Sequence, residues 1–115
     1  MFELTQCNDV IVVEVHGQLN FNNIKQFDHL LETAMTTENH KVVLNLSGLK
    51  HLHYGLVPHL VDRIVELQCA GGDLKLANGS HYIENILKAM GYEESLYSTV
   101  ADAVLSFTPT EDEWQ

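Results

Sequence analysis

Apolar positions along the chain fall into short dense runs separated by stripes at helical spacing. Phe2 to Cys7 and Val10 to His16 read as two strands, the second rich in the β-branched residues that strands favour. Asn8-Asp9 between them tolerates the left-handed backbone of a tight turn, so an antiparallel hairpin is predicted. Gly17 is expected to break the second strand. Asn20 is placed as N-cap of a helix from Phe21 to about Met35, where Ile24, Phe27, Leu30, Leu31 and Ala34 form one apolar face. The polar run Thr36 to His40 ends it.

Val42-Val43-Leu44-Asn45-Leu46 then forms an apolar run of strand length, the pattern of a strand covered on both faces. A short polar loop, Ser47 to Tyr54, leads to a second helix, Gly55 to Leu67. Its stripe is Leu56, Leu60, Ile64 and Leu67, with Val57, Val61 and Val65 beside it. Pro58 fits only the first turn of a helix, where backbone N–H groups have no helical acceptor, so the helix begins near Gly55 or Leu56. Gly71-Gly72 stops it. Asp73 to Ala77 is a short strand, and Ser80 caps a third helix from His81 to Met90. Ile83, Ile86, Leu87 and Met90 are predicted to face inward, with Gly91 as the stop. A short strand through Ser95 to Tyr97 and a last helix, Thr99 to Phe107 capped by Ser98, complete the pattern. Val100, Ala103, Val104 and Phe107 form its apolar face. Thr108 to Gln115 reads as an acidic, frayed tail.

This order implies an α/β fold: a mixed, mostly parallel central sheet of four to five strands, an N-terminal antiparallel hairpin and about four helices. The loop before the second helix then lies at the carboxyl edge of the sheet, where open α/β sheets bind ligands and partners.

Length and composition narrow this picture. The chain has 115 residues with 45% hydrophobic, which suits one domain spanning 1–115, the tail from about 108 included. No apolar run approaches the roughly 18 residues of a membrane span, and the N-terminus lacks the pattern of a secretion signal. A cytoplasmic location without direct membrane insertion is expected. Cys7 and Cys69 form no close motif and read as buried or half-buried thiols. Sixteen acidic against six basic residues give a net charge of -10, which repels phosphate backbones and leaves a basic protein as a compatible partner.

Several blocks carry a family likeness. They are Gly17-Gln18-Leu19-Asn20 before a helix with Phe27 and Leu30; Val42 to Leu49; Gly55-Leu56 opening the second helix; Gly71-Gly72-Asp73-Leu74-Lys75-Leu76; and Ile86 to Tyr92 followed by Tyr97 to Ala103. In that order and spacing the chain resembles the STAS domain, the fold of anti-sigma factor antagonists and of the cytoplasmic part of sulphate transporters. The resemblance covers nearly the whole chain. It implies a bacterial signalling protein of the partner-switching kind, which controls transcription by binding a kinase-type anti-sigma factor. In that family an Asp-Ser-x-Gly-Leu run before the second helix carries a phosphorylated serine or threonine. A phosphate there would sit by unpaired N–H groups and add nearly two negative charges to a docking surface. Here the run reads Leu52-His53-Tyr54-Gly55-Leu56, with Gly-Leu kept and no serine or threonine at the acceptor position. Ser47 falls at the end of the strand and reads as a turn residue. His53 and Tyr54 are the candidate phospho-acceptors.

His51, His53 and His59 are the one cluster with chemistry to offer, but spacing supplies no third metal ligand, and no metal or cofactor is expected. Nucleophile elbows, phosphate-binding glycine loops and paired catalytic carboxylates are missing from the sequence, so an enzyme is not expected. Asp9, Asp28, Glu32, Asp62 and Glu66 read as solvated carboxylates, with Asp28/Glu32 and Asp62/Glu66 as repulsive pairs four residues apart. The expected partner-binding residues are Asn20, His51, His53, Tyr54, Gly55, Leu56, His59 and Asp62, with Asn20 to Asn23 nearby. The alternatives are an accessory STAS subunit of an ABC-type phospholipid transport complex, and a STAS module that binds a nucleotide or small anion.

Overall fold

The computed structural model describes residues 2–7, 9–35, 41–92 and 96–107. Strands β1 (Phe2–Cys7) and β2 (Val10–Val15) form the expected antiparallel hairpin, with Phe2 opposite Val15 and Cys7 opposite Val10. Strand β3 (Gly17–Leu19) follows, then helix α1 (Ile24–Met35), β4 (Lys41–Asn45) and β5 (Leu49–Leu52). A 3-10 turn (Tyr54–Leu56) runs into α2 (Val57–Cys69). Strand β6 (Asp73–Ala77), α3 (His81–Ala89), β7 (Leu96–Tyr97) and α4 (Val100–Phe107) complete the chain. The main sheet has five strands in the order β1-β2-β4-β6-β7, parallel except for the β1–β2 pair. Among the described residues no helix is long and apolar enough to cross a membrane.

Side chains alternate across this sheet. Ile11, Val13, Val15, Val42, Leu44, Leu74 and Leu76 join Phe27, Leu31, Leu60, Leu67, Ile83 and Leu87 in a core under α1, α2 and α3. Val10, Val12, Val43 and Ala77 point the other way, against Ala103 and Val104 of α4. The run Val42 to Leu44 is therefore covered on both faces, as its continuous apolar pattern requires. Where β4 begins, Lys41 Nζ meets Asp9 Oδ2 at 2.8 Å and holds that carboxyl below its usual range.

Gly17 redirects the chain instead of ending its extended run. With φ of 80° it turns the backbone out of β2, and its N–H donates to the Gly48 carbonyl at 2.9 Å. Beyond it β3 pairs in parallel with β5, Gly17 with Leu49 and Leu19 with Leu52, as a separate two-stranded sheet. Part of the predicted polar loop 47–54 is thus strand. The helix ends also differ from expectation. α1 starts at Ile24, not Phe21, because residues 20–23 form a turn. α4 is capped by Thr99, whose Oγ1 accepts from Asp102 N, and not by Ser98. Ser80 caps α3 as predicted, accepting from Ile83 N.

α2 and α3 stop by one device. Gly71 N–H bonds to Gln68 O and Gly72 N–H to Leu67 O; Gly91 N–H bonds to Lys88 O and Tyr92 N–H to Leu87 O. Each is a Schellman motif, and the first glycine past the helix takes φ of 91° in both. A Cβ there is disfavoured. Gly91→Ala is expected to cost about 1 kcal/mol, lowering the thermal midpoint by about 4–8 °C for a domain of about 100 residues. Calorimetry measures this, and an unchanged midpoint contradicts the assignment.

The stop at Gly91 also leaves Met90 exposed, where helical spacing alone turned it inward. Val65 is exposed too, so the buried stripe of α2 is narrower than predicted. The Cys69 side chain is exposed rather than buried, while that of Cys7 lies outside the described residues. Residues 36–40 and the tail from Thr108 also lie outside them, as does Asn8.

Candidate functional site

The two-stranded extension carries the chain past the carboxyl ends of β2 and β4. Leaving β3, the backbone enters a turn built by asparagines. Asn20 Oδ1 accepts from Asn22 N at 2.9 Å, Asn23 Oδ1 accepts from Asn20 N at 2.9 Å, and Asn23 Nδ2 donates to Gln18 O at 2.7 Å. Asn20 therefore shapes this turn and does not cap α1. The turn holds Phe21 outward at 61% exposure, unusual for a phenylalanine.

The second chain segment arrives from β5. His53 N–H donates to Leu19 O at 3.0 Å, which fastens it beside the asparagine turn. Its Nδ1 accepts from Gly55 N at 3.0 Å and so caps the 3-10 turn. The imidazole lies between two rings: Phe21 meets it edge-on with centroids 4.8 Å apart, and Tyr54 stacks on it at 5.1 Å. Tyr54 is itself 64% exposed. A Cβ on Gly55 would come within 3.1 Å of His53 Nδ1 and 3.3 Å of Phe21 Cζ, so glycine is what lets these rings close over the backbone. The outcome is a fixed row of three rings, Phe21-His53-Tyr54, with its outer members open to solvent.

The remaining predicted residues divide. His51 leaves β5 toward α3, where its Nδ1 lies 2.7 Å from the Tyr82 hydroxyl and the two rings stack at 5.9 Å. His51 and His53 thus pack on different aromatic partners, Tyr82 for the first and Phe21 with Tyr54 for the second. Asp62 is exposed on α2. Leu56 is 1% exposed, so its side chain anchors the turn in the core and presents nothing to a partner. His59 is half-buried, its Nε2 2.7 Å from Asp28 Oδ1, and it ties α2 to α1. That pairing also corrects the reading of Asp28 as a solvated carboxylate. Glu66 is likewise paired, with Arg63 at 2.8 Å.

Two exposed aromatics stand out that the partner-binding set left out, Phe21 and Tyr82. Phe21 lies in the neighbouring stretch 20–23, where the sequence pattern predicts the start of a helix and the structure forms a turn. Nothing in local spacing links Tyr82 to His51, since only the packing of α3 near β5 joins them. Ser47 sits in the turn after β4 with its N–H bonded to Asn45 Oδ1. No serine or threonine occurs between His51 and Leu56.

A STAS domain model matches residues 1–103, and the chain belongs to that family. Solved structures share the fold. The anti-sigma factor antagonist SpoIIAA in its unphosphorylated form superposes with a TM-score of 0.79 at 16% identity, over 96% of this chain and all of that one, 100%. An anti-sigma factor antagonist from Mycobacterium paratuberculosis gives 0.70 at 16% identity, covering 92% of each chain. The murine solute carrier 26 family member A9 anion transporter gives 0.70 at 18% identity, over 89% of this chain and 18% of that protein. No curated protein sequence matches the chain significantly.

Proposed function

We propose that this protein is a regulatory binding module of the anti-sigma factor antagonist type. It docks through the ring row Phe21-His53-Tyr54, with Asn20, Gly55 and Asp62 around it and His51 with Tyr82 alongside. The partner is a kinase-type anti-sigma factor or a related signalling protein. The observation that carries this reading is the pair of exposed rings held by a hydrogen-bonded turn and a buried leucine. Aromatic side chains fixed in advance lose little freedom on binding, and they dominate the energetics of protein interfaces.

Regulation by an ordinary serine or threonine phosphate does not fit a turn reading His51-Leu52-His53-Tyr54-Gly55-Leu56. The module acts as a constitutive binder, or is switched through its partner. Small-anion binding draws little support from the adjoining groove of ≈ 590 Å³ beside α2. Its lining of Val57, Val61, Met90 and similar residues includes Asp62 and no lysine, arginine or histidine.

The test is capture by the tagged full chain in its source cell, with Phe21→Asp in parallel. Recovery of an ATP-binding kinase-fold protein by the native chain and not by the variant supports the proposal. Recovery of ABC-transport components in the same pattern assigns the chain to a transport complex instead. Equal recovery by both chains contradicts the docking surface.

A further inference from the structure

On the side of the sheet that α4 covers, at the carboxyl end of β2, lies a second cluster that the docking surface does not use. In the β1–β2 register Glu3 stands directly opposite Glu14. Like charges so placed repel each other and weaken the pair of strands. Among the described residues neither carboxylate has a lysine or arginine partner. Both instead face His16, whose Nε2 is 3.6 Å from Glu3 Oε2 and 4.0 Å from Glu14 Oε2. One donor atom from each of the three residues lies within 4.8 Å of the others.

We propose that Glu3, Glu14 and His16 bind a divalent transition metal ion, of which zinc fits best. Ligands about 2.0–2.2 Å from a tetrahedral ion lie roughly 3.3–3.6 Å from one another. The His16 distances are close to that, and the exposed Glu3 side chain is free to close the remainder. The other two ligands are already oriented. Glu14 Oε1 is 3.4 Å from Asn45 Nδ2, which leaves Oε2 for the ion. Asn45 is fixed in turn through Oδ1, which accepts from Ser47 N at 3.1 Å and Asn78 Nδ2 at 3.2 Å. An outer row of this kind aims metal-ligating carboxylates. The His16 ring packs so closely on Gly48 that a Cβ there would overlap Nδ1, while Nε2 faces the two carboxylates.

The donor set decides the class of ion. Two carboxylates neutralise a dication, and the imidazole nitrogen favours zinc over magnesium or calcium, which prefer oxygen throughout. Three protein ligands leave at least one position for water. The ion would clamp the edge strand β1 to the junction where β2 passes into β3, and replace carboxylate repulsion with a shared bond.

The test titrates zinc chloride alone into the full chain by calorimetry and follows thermal stability beside it. The expected result is one ion per chain and a midpoint that rises with zinc concentration. His16→Ala should weaken binding at least tenfold and Glu3→Gln at least fivefold, with circular dichroism unchanged for the exposed Glu3 variant. His29→Ala, a histidine on the exposed side of α1, should bind as the native chain does. Magnesium in large excess should not displace the zinc. No uptake at about 0.1 mM free zinc, full affinity in Glu3→Gln, or displacement by magnesium would overturn the site. If His16→Ala fails to fold, Glu3→Gln decides the matter.

Discussion

Tyr54→Asp is expected to weaken partner binding by at least about thirtyfold while leaving the fold intact. The two halves of that expectation have separate causes. Tyr54 is 64% exposed, and the imidazole it stacks on, His53, is itself only half-buried. Substitutions at such positions usually change stability by less than about 0.5 kcal/mol. In a complex, however, its ring would be covered together with Phe21 and His53. Central aromatic residues of interfaces commonly contribute about 2 kcal/mol or more, which is a factor of about thirty in affinity. Aspartate removes the apolar area and adds a charge that must be desolvated. It also extends an already acidic surface, so a basic partner would partly mask the effect at low salt, and the measurement belongs at physiological ionic strength. Calorimetric titration against the purified partner reads the affinity, and a thermal melt reads the fold. Equal affinities for both forms would move the interface elsewhere.

Phe27→Ala tests the scaffold rather than the surface. Phe27 is fully buried, with its ring 6.0 Å from that of Phe2, so it links α1 to the edge strand β1. Truncating a buried phenylalanine removes its transfer free energy and leaves a cavity, at a cost of about 3–5 kcal/mol. Domains of this kind are stable by only about 5–15 kcal/mol. The variant should therefore unfold at markedly lower denaturant, with the slope of the transition unchanged. A loss under about 1 kcal/mol would mean that α1 is not packed on the sheet as described. Binding should survive in whatever fraction remains folded, because the ring row does not depend on Phe27 directly.

The contrast between these two sites follows what could be read before any coordinates. Long periodic segments announced themselves. The stripe Leu56, Leu60, Ile64 and Leu67, and the run Val42 to Leu44, left little choice about helix, strand and covered face. Ser80 and Gly91 marked the limits of α3 by their own chemistry. Short elements were hidden. β3 and β5 have three and four residues, and Leu49-Lys50-His51-Leu52 does not alternate, so neither showed the two-residue period of a strand. Their pairing rests on a register between distant segments, which local pattern does not encode. The same gap concealed how the two segments of the candidate surface meet. His53, Tyr54 and Gly55 could be singled out because they precede a helix at a sheet edge. Residues 20–23 could be placed near them, but the contact of the Phe21 ring with His53 depends on β3 and β5 running side by side. Met90 differs for a related reason: helical spacing assigns a side of the helix but not the Schellman stop that frees it. Leu56 fits its buried stripe, and only its place among the partner-binding residues gives way.

The central claim is that the turn displaying Phe21, His53 and Tyr54 is where another protein docks. The most direct measurement places a photo-reactive phenylalanine analogue at position 54 of the full chain in its source cell, with a second chain carrying it at exposed Lys88 on α3. The account predicts a discrete cross-linked protein from position 54, none from position 88, and loss of the adduct when Phe21→Asp is added. The same adduct from both positions, or from position 54 regardless of Phe21, would contradict it.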